Sequence, residues 1–210
     1  MHETGTTEQD AAPWWEAFYR DGRSRWSGKP NGSLVDEVAG LRPGTALDLG
    51  CGQGGDAIWL AQRGWVVTAV DISATALETA ARNATAAGVP SEAIAWEHRD
   101  LSAAPPAGPF DLVTATFLHS PVELPRTRIL REAAGAVAPG GTLLVIGHLP
   151  SPAHPHHELP TPREVVAELA LPQEQWALRV CERREVEHAF RDEAPTRRTD
   201  GVVRFERLEG

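Results

Sequence analysis

Three things are scarce in this chain of 210 residues, and each scarcity excludes something. Cysteine is nearly missing: Cys51 and Cys181 stand far apart, too few for a disulfide framework, so two free thiols in a reducing compartment are expected. Long apolar runs are absent too. No stretch approaches the ~18 apolar residues a membrane-spanning helix needs, so no membrane partner is expected. Met1 to Asp10 is polar and acidic rather than basic then apolar, so the expectation is no secretory leader and a cytoplasmic location. Positive charge is also in deficit. A formal net charge of −9 argues against a nucleic-acid partner, whose phosphates need a basic face. The local basic run Arg20, Arg23, Arg25 and Lys29 reads as a solvated surface. There is no internal repeat and no long low-complexity tract, and the length suits one α/β domain with a full core.

What is present is concentrated in Leu47-Asp48-Leu49-Gly50-Cys51-Gly52-Gln53-Gly54-Gly55. An apolar strand runs into a glycine-rich turn, and a helix follows with Asp56 in its first turn and Gly64 as its stop. Such a turn is expected to expose backbone N–H groups and to let a nucleotide-like ligand approach closely. Gly50, Gly52 and Gly55 satisfy the dinucleotide pattern GxGxxG, which keeps a nicotinamide-dependent oxidoreductase open as an alternative. Two carboxylates weigh more than that pattern. Asp71 ends a second apolar strand, Trp65 to Val70, where a carboxylate can accept from both hydroxyls of a ribose. Asp48 sits at the end of the first strand, where it would repel a pyrophosphate and suit a ligand carrying an ammonium or sulfonium.

With these residues the chain resembles the class I S-adenosylmethionine-dependent methyltransferases. The first motif of that class is matched by Leu47 to Gly54 and its acidic end of strand two by Asp71. The acidic residue after strand three looks like Asp100 in His98-Arg99-Asp100-Leu101, and strand four like Phe110 to Thr116. The turn into strand five resembles Ala138-Pro139-Gly140-Gly141 followed by Thr142 to Ile146. The start, Trp14-Trp15-Glu16 to Trp26-Ser27-Gly28-Lys29-Pro30-Asn31, is similar to the small-molecule branch with the tellurite-resistance-type and thiopurine-type enzymes. The resemblance implies a three-layer Rossmann-like α/β fold with a mostly parallel seven-stranded sheet and an antiparallel last strand. It also implies S-adenosyl-L-methionine as cofactor and methyl transfer to a small-molecule acceptor: a thiol, a halide or chalcogen, a hydroxyl or an amine.

Patterning along the chain is compatible with that fold. Helices are expected at Ala11 to Arg20, after an Asn31 cap, after the glycine turn, after a Ser73 cap, and at Arg126 to Val137. Strands are expected at Thr45 to Leu49, Trp65 to Val70, Ala93 to Glu97, Phe110 to Thr116 and Thr142 to Ile146. Strands alternating with helices at this interval require a parallel sheet, whose ligands bind beyond the carboxyl ends of the strands. Asp48, Asp71, Asp100, Thr116 and Gly147 all fall there. Thr161-Pro162-Arg163-Glu164 forms a capping box, and two closing strands, antiparallel to each other, are expected around Trp176 to Val180 and Val202 or Val203. Residues 1–30 are expected to be an N-terminal segment with a lid helix, rich in Trp14, Trp15, Phe18 and Tyr19, and 31–210 a single domain, monomeric or weakly dimeric.

By resemblance, the turn Gly50, Cys51, Gly52 and Gly54 approaches the amino-acid part of the cofactor and Asp48 its amino group. Asp71 would hold the ribose, Ile72 and Leu101 would flank the adenine, Asp100 would meet its amino group, and Thr116 would lie beside the methionine arm. The plain alternative for each aspartate is a helix cap or a surface charge. Trp26, in a Gly/Ser/Pro-rich connection, is a candidate ligand contact, and Cys51 reads as a small filler rather than a nucleophile. His119, after strand four, and His148, after strand five, are candidates for acceptor contact or general base, with packed loop histidines as the alternative. His148, His154, His156, His157 and Glu158 could ligate a metal, but Pro150, Pro152 and Pro155 break any regular ligand spacing, so a substrate loop and no metal are expected. A non-catalytic cofactor-binding protein is the remaining alternative.

Overall fold

The computed structural model describes residues 10–23, 28–149, 159–188 and 196–210. Its centre is one seven-stranded sheet in the order β3-β2-β1-β4-β5-β7-β6. The strands are β1 (Thr45–Leu49), β2 (Val66–Asp71), β3 (Ile94–His98), β4 (Phe110–Thr116), β5 (Val137–His148), β6 (Trp176–His188) and β7 (Thr196–Arg207). The first five pair in parallel. β7 is antiparallel to both β5 and β6 and lies between them. Strand order reverses between β1 and β4, the point where open α/β sheets leave a crevice.

Alternation along each central strand sends side chains to two cores. Leu47, Leu49, Val113, Leu143 and Val145 pack with α5 (Arg126–Gly135) and α6 (Pro162–Leu169) on one face. Ala46, Leu112, Leu144 and Ile146 pack with α2 (Gly32–Val38) and α3 (Gly55–Gln62) on the other, and Ala84 of α4 (Ala74–Ala86) joins them. Burial on both faces explains why β1, β4 and β5 read as near-continuous apolar runs. Asp48, Thr114 and Thr116 interrupt the second face. Side-chain caps fix several helix starts: Asn31 for α2, Ser73 for α4 and the Thr161–Glu164 capping box for α6.

β2 and β3 each sit one residue later than expected and β6 runs on to His188; two larger shifts concern α5 and β5. The helix expected to run to Val137 stops at Gly135, and β5 starts at Val137, opposite Phe110. Tertiary pairing captures Val137 before the Pro139-Gly140-Gly141 turn, so strand five is longer than its apolar run. At its other end β5 reaches His148, which pairs with Asp200 instead of opening the loop.

Candidate active site

The glycine turn is held by its own donors. The N–H groups of Gly50 and Cys51 both donate to the Val70 carbonyl, at 2.8 and 2.9 Å, that of Gly54 donates to Cys51, and that of Gly52 donates to the Asp71 carboxylate at 2.8 Å. The expectation that these amides face a ligand is therefore corrected: β2 absorbs them. An anion at this turn would find few donors, which speaks against a pyrophosphate. Two glycines also have different reasons from those expected. Gly52 (φ 53°) leaves room for the Tyr19 hydroxyl, 2.9 Å from where a Cβ would stand. Gly54 (φ 85°) faces the packing between α3 and its neighbours, where a Cβ would meet Trp96 at 2.8 Å and Ala80 at 3.0 Å, so its smallness serves helix–sheet contact. Cys51 is half-buried, and burial beside Asp71 and Asp48 pushes its thiol well up, away from nucleophilic use.

A cleft opens over the carboxyl ends of β1, β2 and β4. Gly50, Asp71, Ile72, Asp100, Leu101 and His119 line it, as do Arg99, Leu118, Ser120 and Leu124. Asp71 is almost fully buried and accepts from Gly52 and Ser73, while Asp100 is exposed and accepts from the Ser102 N–H at 2.7 Å. Burial raises the Asp71 pKa, against its backbone donors. The cleft is roofed by α1 (Ala11–Arg20), which contributes Ala11, Trp15 and Tyr19. Glu16 ties this helix to the start of α4, accepting from the Ser73 hydroxyl at 2.7 Å and from the Thr75 N–H and hydroxyl. Those bonds, Thr75's first, hold its carboxyl below the usual range. On the other side of the cleft the Trp15 indole donates to the Ser120 hydroxyl at 3.3 Å.

Asp48 and Thr116 do not line that cleft. They lie on the α2/α3 face of the sheet. Asp48 is 2% exposed; its Oδ1 accepts from the Thr114 hydroxyl at 3.0 Å and its Oδ2 has no partner among the described residues. Asn31 Nδ2 and Thr116 Oγ1 are likewise buried without a hydrogen bond. Burial, then the charge of Asp56, push the Asp48 pKa up to about 8. Asp56 accepts from the Asn31 N–H at 2.7 Å, and burial raises its pKa as well. The spare carboxylate oxygen of Asp48 suits a cationic group, and the spare amide and hydroxyl of Asn31 and Thr116 suit a polar one. The residues present therefore fit S-adenosylmethionine, which carries an ammonium, a carboxylate and a ribose.

The far wall is made of rings. Phe117, directly after β4, takes a φ of 55°, a conformation that costs a non-glycine residue on the order of 1 kcal/mol and persists only when its surroundings fix it. They do: its N–H donates to the Ile146 carbonyl at 2.8 Å, and its ring stacks on His148 at 3.8 Å. The Arg198 guanidinium lies 4.7 Å from the same ring and is paired with the fully buried Asp200 at 2.8 Å. His119 lines the cleft with its ring 6.2 Å from His148, and its Nε2 is 3.1 Å from where a Cβ on Gly147 would stand. The structure thus brings His119 to the cleft and sets His148 behind it, in a stack.

Trp26 and the residues His154, His156, His157 and Glu158 lie outside the described residues. Among the described residues, no group of three or more His, Cys, Asp or Glu could hold a metal ion, and no helix is long and apolar enough to cross a membrane. Sequence reasoning missed several residues now at the site: Asn31 and Asp56, read only as a cap and a first-turn acid, and Phe117, Arg198 and Asp200. Asp56 follows the glycine turn directly and could have been suspected. Arg198 and Asp200 left no signal, since only the β5–β7 register brings them to this edge.

Residues 46–141, from β1 into β5, match a family described as a methyltransferase domain. An uncharacterized methyltransferase of Mycobacterium bovis is 40% identical over 116 residues, which are 54% of this chain and 55% of the relative. The chain thus spans about half the length of the curated relatives it matches. Among solved structures it is similar to one reported for the conversion of a disulfide bond into a thioacetal group during echinomycin biosynthesis. The TM-score there is 0.73, with 24% identity, covering 94% of this chain and 93% of that one. It is also similar to magnesium protoporphyrin IX methyltransferase from Synechocystis with bound SAM, at a TM-score of 0.65 and 20% identity over 96% of this chain and 99% of that one. At such identities the structural likeness speaks for the fold.

Proposed function

We propose that this chain is a class I S-adenosylmethionine-dependent methyltransferase, with S-adenosylmethionine as its cofactor, and that it methylates a small molecule with an apolar body and a protic nucleophile. The observation that carries this reading is the chemistry at the strand ends. The buried Asp48 keeps a spare acceptor for a cationic amino-acid end, and beside Asp71 lies a cleft walled by Trp15, Leu118, Leu124 and His119. The cofactor, when bound, supplies a methyl group on a sulfonium, so the protein has only to align a nucleophile and keep water out. Asp71 holds the ribose, Ile72 and Leu101 flank the base, and Asp100 meets its amino group. His119 contacts the acceptor and takes its proton when the nucleophile is a hydroxyl or thiol, with His148 holding the stack behind it. Residues 1–30 act as a lid segment on the single domain formed by 31–210, through α1 and its ties to Ser73, Thr75 and Ser120.

Equilibrium titration with S-adenosylhomocysteine tests the reading directly: binding in the micromolar range is expected, and none at millimolar ligand rejects it. Turnover is read as S-adenosylhomocysteine formed with a panel of thiols, halides, phenols and amines; binding without turnover on any of them favours a non-catalytic role. The nicotinamide reading is opposed by the buried Asp48 and by the committed donors of the glycine turn, and NADH fluorescence unchanged on mixing is the expected result.

A further inference from the structure

The ring wall contains one unit that the reaction as proposed does not use, the Arg198–Asp200 pair of β7. Residues paired across antiparallel strands point to the same side. Asp200, opposite His148, and Arg198, two positions earlier, therefore share the face on which His148 stands. Arg198 lies past the last β5–β7 pair, beyond the carboxyl end of β5, which lets it reach the residue that follows β4. Asp200 is fully buried and occupied at both oxygens. Its Oδ1 accepts from Arg198 Nε at 2.8 Å, and its Oδ2 accepts from Arg198 Nη2 at 3.4 Å and from the buried Ser33 hydroxyl at 3.3 Å. The edge of the guanidinium is thereby fixed. Its centre rests 4.7 Å from the Phe117 ring, the same ring that stacks on His148 at 3.8 Å. A planar guanidinium can serve a carboxylate with its edge and a ring with its face at once, which a lysine ammonium cannot.

Phe117, Leu118, His119 and Ser120 all line the cleft. The φ of 55° at Phe117 turns the chain back, and the His119 N–H closes the turn on the Phe117 carbonyl at 2.7 Å. Leu118 then lies against Gly50, its Cδ1 2.9 Å from the place of a Cβ, and its carbonyl accepts from Arg126 Nε at 3.0 Å. A non-glycine residue keeps such a conformation only where its surroundings over-determine it. Stability alone does not call for a charged clamp, because apolar side chains often replace a buried ion pair without loss. We propose that Arg198 is a positioning residue of the acceptor site: anchored by Asp200, it holds the Phe117 ring against His148 and so fixes the turn that carries Leu118 and His119 into the cleft. The inference rests on the cleft being the acceptor's place and adds to it a residue from outside its walls.

Arg198→Met alone would strand the buried Asp200, so the test variant is Arg198→Met/Asp200→Asn, whose amide oxygen still accepts from Ser33. With thiophenol as acceptor, kcat/KM should fall about tenfold or more, because His119 and the wall lose their alignment. Affinity for S-adenosylhomocysteine, by calorimetry, should stay within about twofold. Phe117→Leu should give a similar fall, and adding it to the first variant should cost less than about twofold further, since both remove the same contact. Losses that multiply overturn the route through Phe117. An equal loss of cofactor affinity marks the pair as merely structural and overturns the inference. Amide exchange needs no acceptor: the Phe117 and His119 N–H groups should exchange about tenfold faster in the variant, with those of Gly50 to Gly54 unchanged. Unchanged exchange at 117–119 overturns the inference even if turnover falls. A parent protein that methylates neither thiophenol nor any other thiol, halide, phenol or amine overturns the acceptor reading of the cleft, and exchange then decides the role of Arg198 by itself.

Discussion

Along the carboxyl edge of the sheet, the half over β1 and β2 is organised by main chain, whereas the half over β4, β5 and β7 is organised by side chains. In the first half, the N–H groups of Gly50, Cys51, Gly52 and Gly54 are spent on Val70, Asp71 and Cys51, which holds the turn's shape. In the second, Phe117 after β4, His148 of β5, and Arg198 and Asp200 of β7 meet through ring stacking, a cation–π contact and an ion pair. The difference teaches how the two ligands are treated. Under the proposed function, the common cofactor is met by a compact, self-supporting unit, and the particular acceptor by a wall that can change residue by residue without disturbing that unit.

Four substitutions would break or sharpen this contrast. The largest effect is expected from His119→Ala, which should lower kcat by about 100-fold or more, the usual worth of a general base. Affinity for S-adenosylhomocysteine should stay within about twofold, if the halves act separately. Equal loss of both, measured by steady-state rates and calorimetry, would merge them. Asp71→Ala should do the opposite, weakening cofactor binding by more than about tenfold, above about 1.4 kcal/mol. It removes the proposed ribose acceptor and leaves the Gly52 and Ser73 amides without their acceptor; unchanged affinity would remove Asp71 from the cofactor's contacts.

Asp48→Asn probes what the cofactor half costs the fold. Because the folded protein holds this proton more tightly than the unfolded chain, stability is full below the ordinary value of 3.8 and declines as pH rises to about 8. The asparagine, which still accepts from Thr114, escapes that decline. Its melting temperature should exceed the parent's at pH 8, by the equivalent of about 1 kcal/mol or more, and match it near pH 4. A gap that does not change with pH would mean that Asp48 is ionised throughout. The smallest effect is expected at the roof. Glu16→Ala, which unties α1 from Ser73 and Thr75, should speed cofactor release about threefold with little change in melting temperature, as for other exposed polar contacts. Stopped-flow displacement would show it, and an unchanged off-rate would leave α1 as packing only.

The same contrast decides what could be read from the amino-acid order. Strand and helix identity, the parallel order of the first strands and the position of the cofactor turn follow from patterns within a dozen residues: the apolar run into Gly50, the Asn31, Ser73 and Thr161 caps, the carboxylates closing β1 and β2. Hydrophobic period and capping chemistry are local, so they survive without knowledge of neighbours. Only the tertiary structure could decide which donors of the turn are already spent, that Gly54 serves helix packing, that His119 lines the cleft while His148 stacks on Phe117, and that Asp48 is left buried with a spare oxygen. These depend on partners far apart in sequence and on the dielectric around them. A residue type carries its hydrogen-bonding capacity with it, but whether that capacity is satisfied, and whether its charge is tolerated, is fixed by what the fold places alongside.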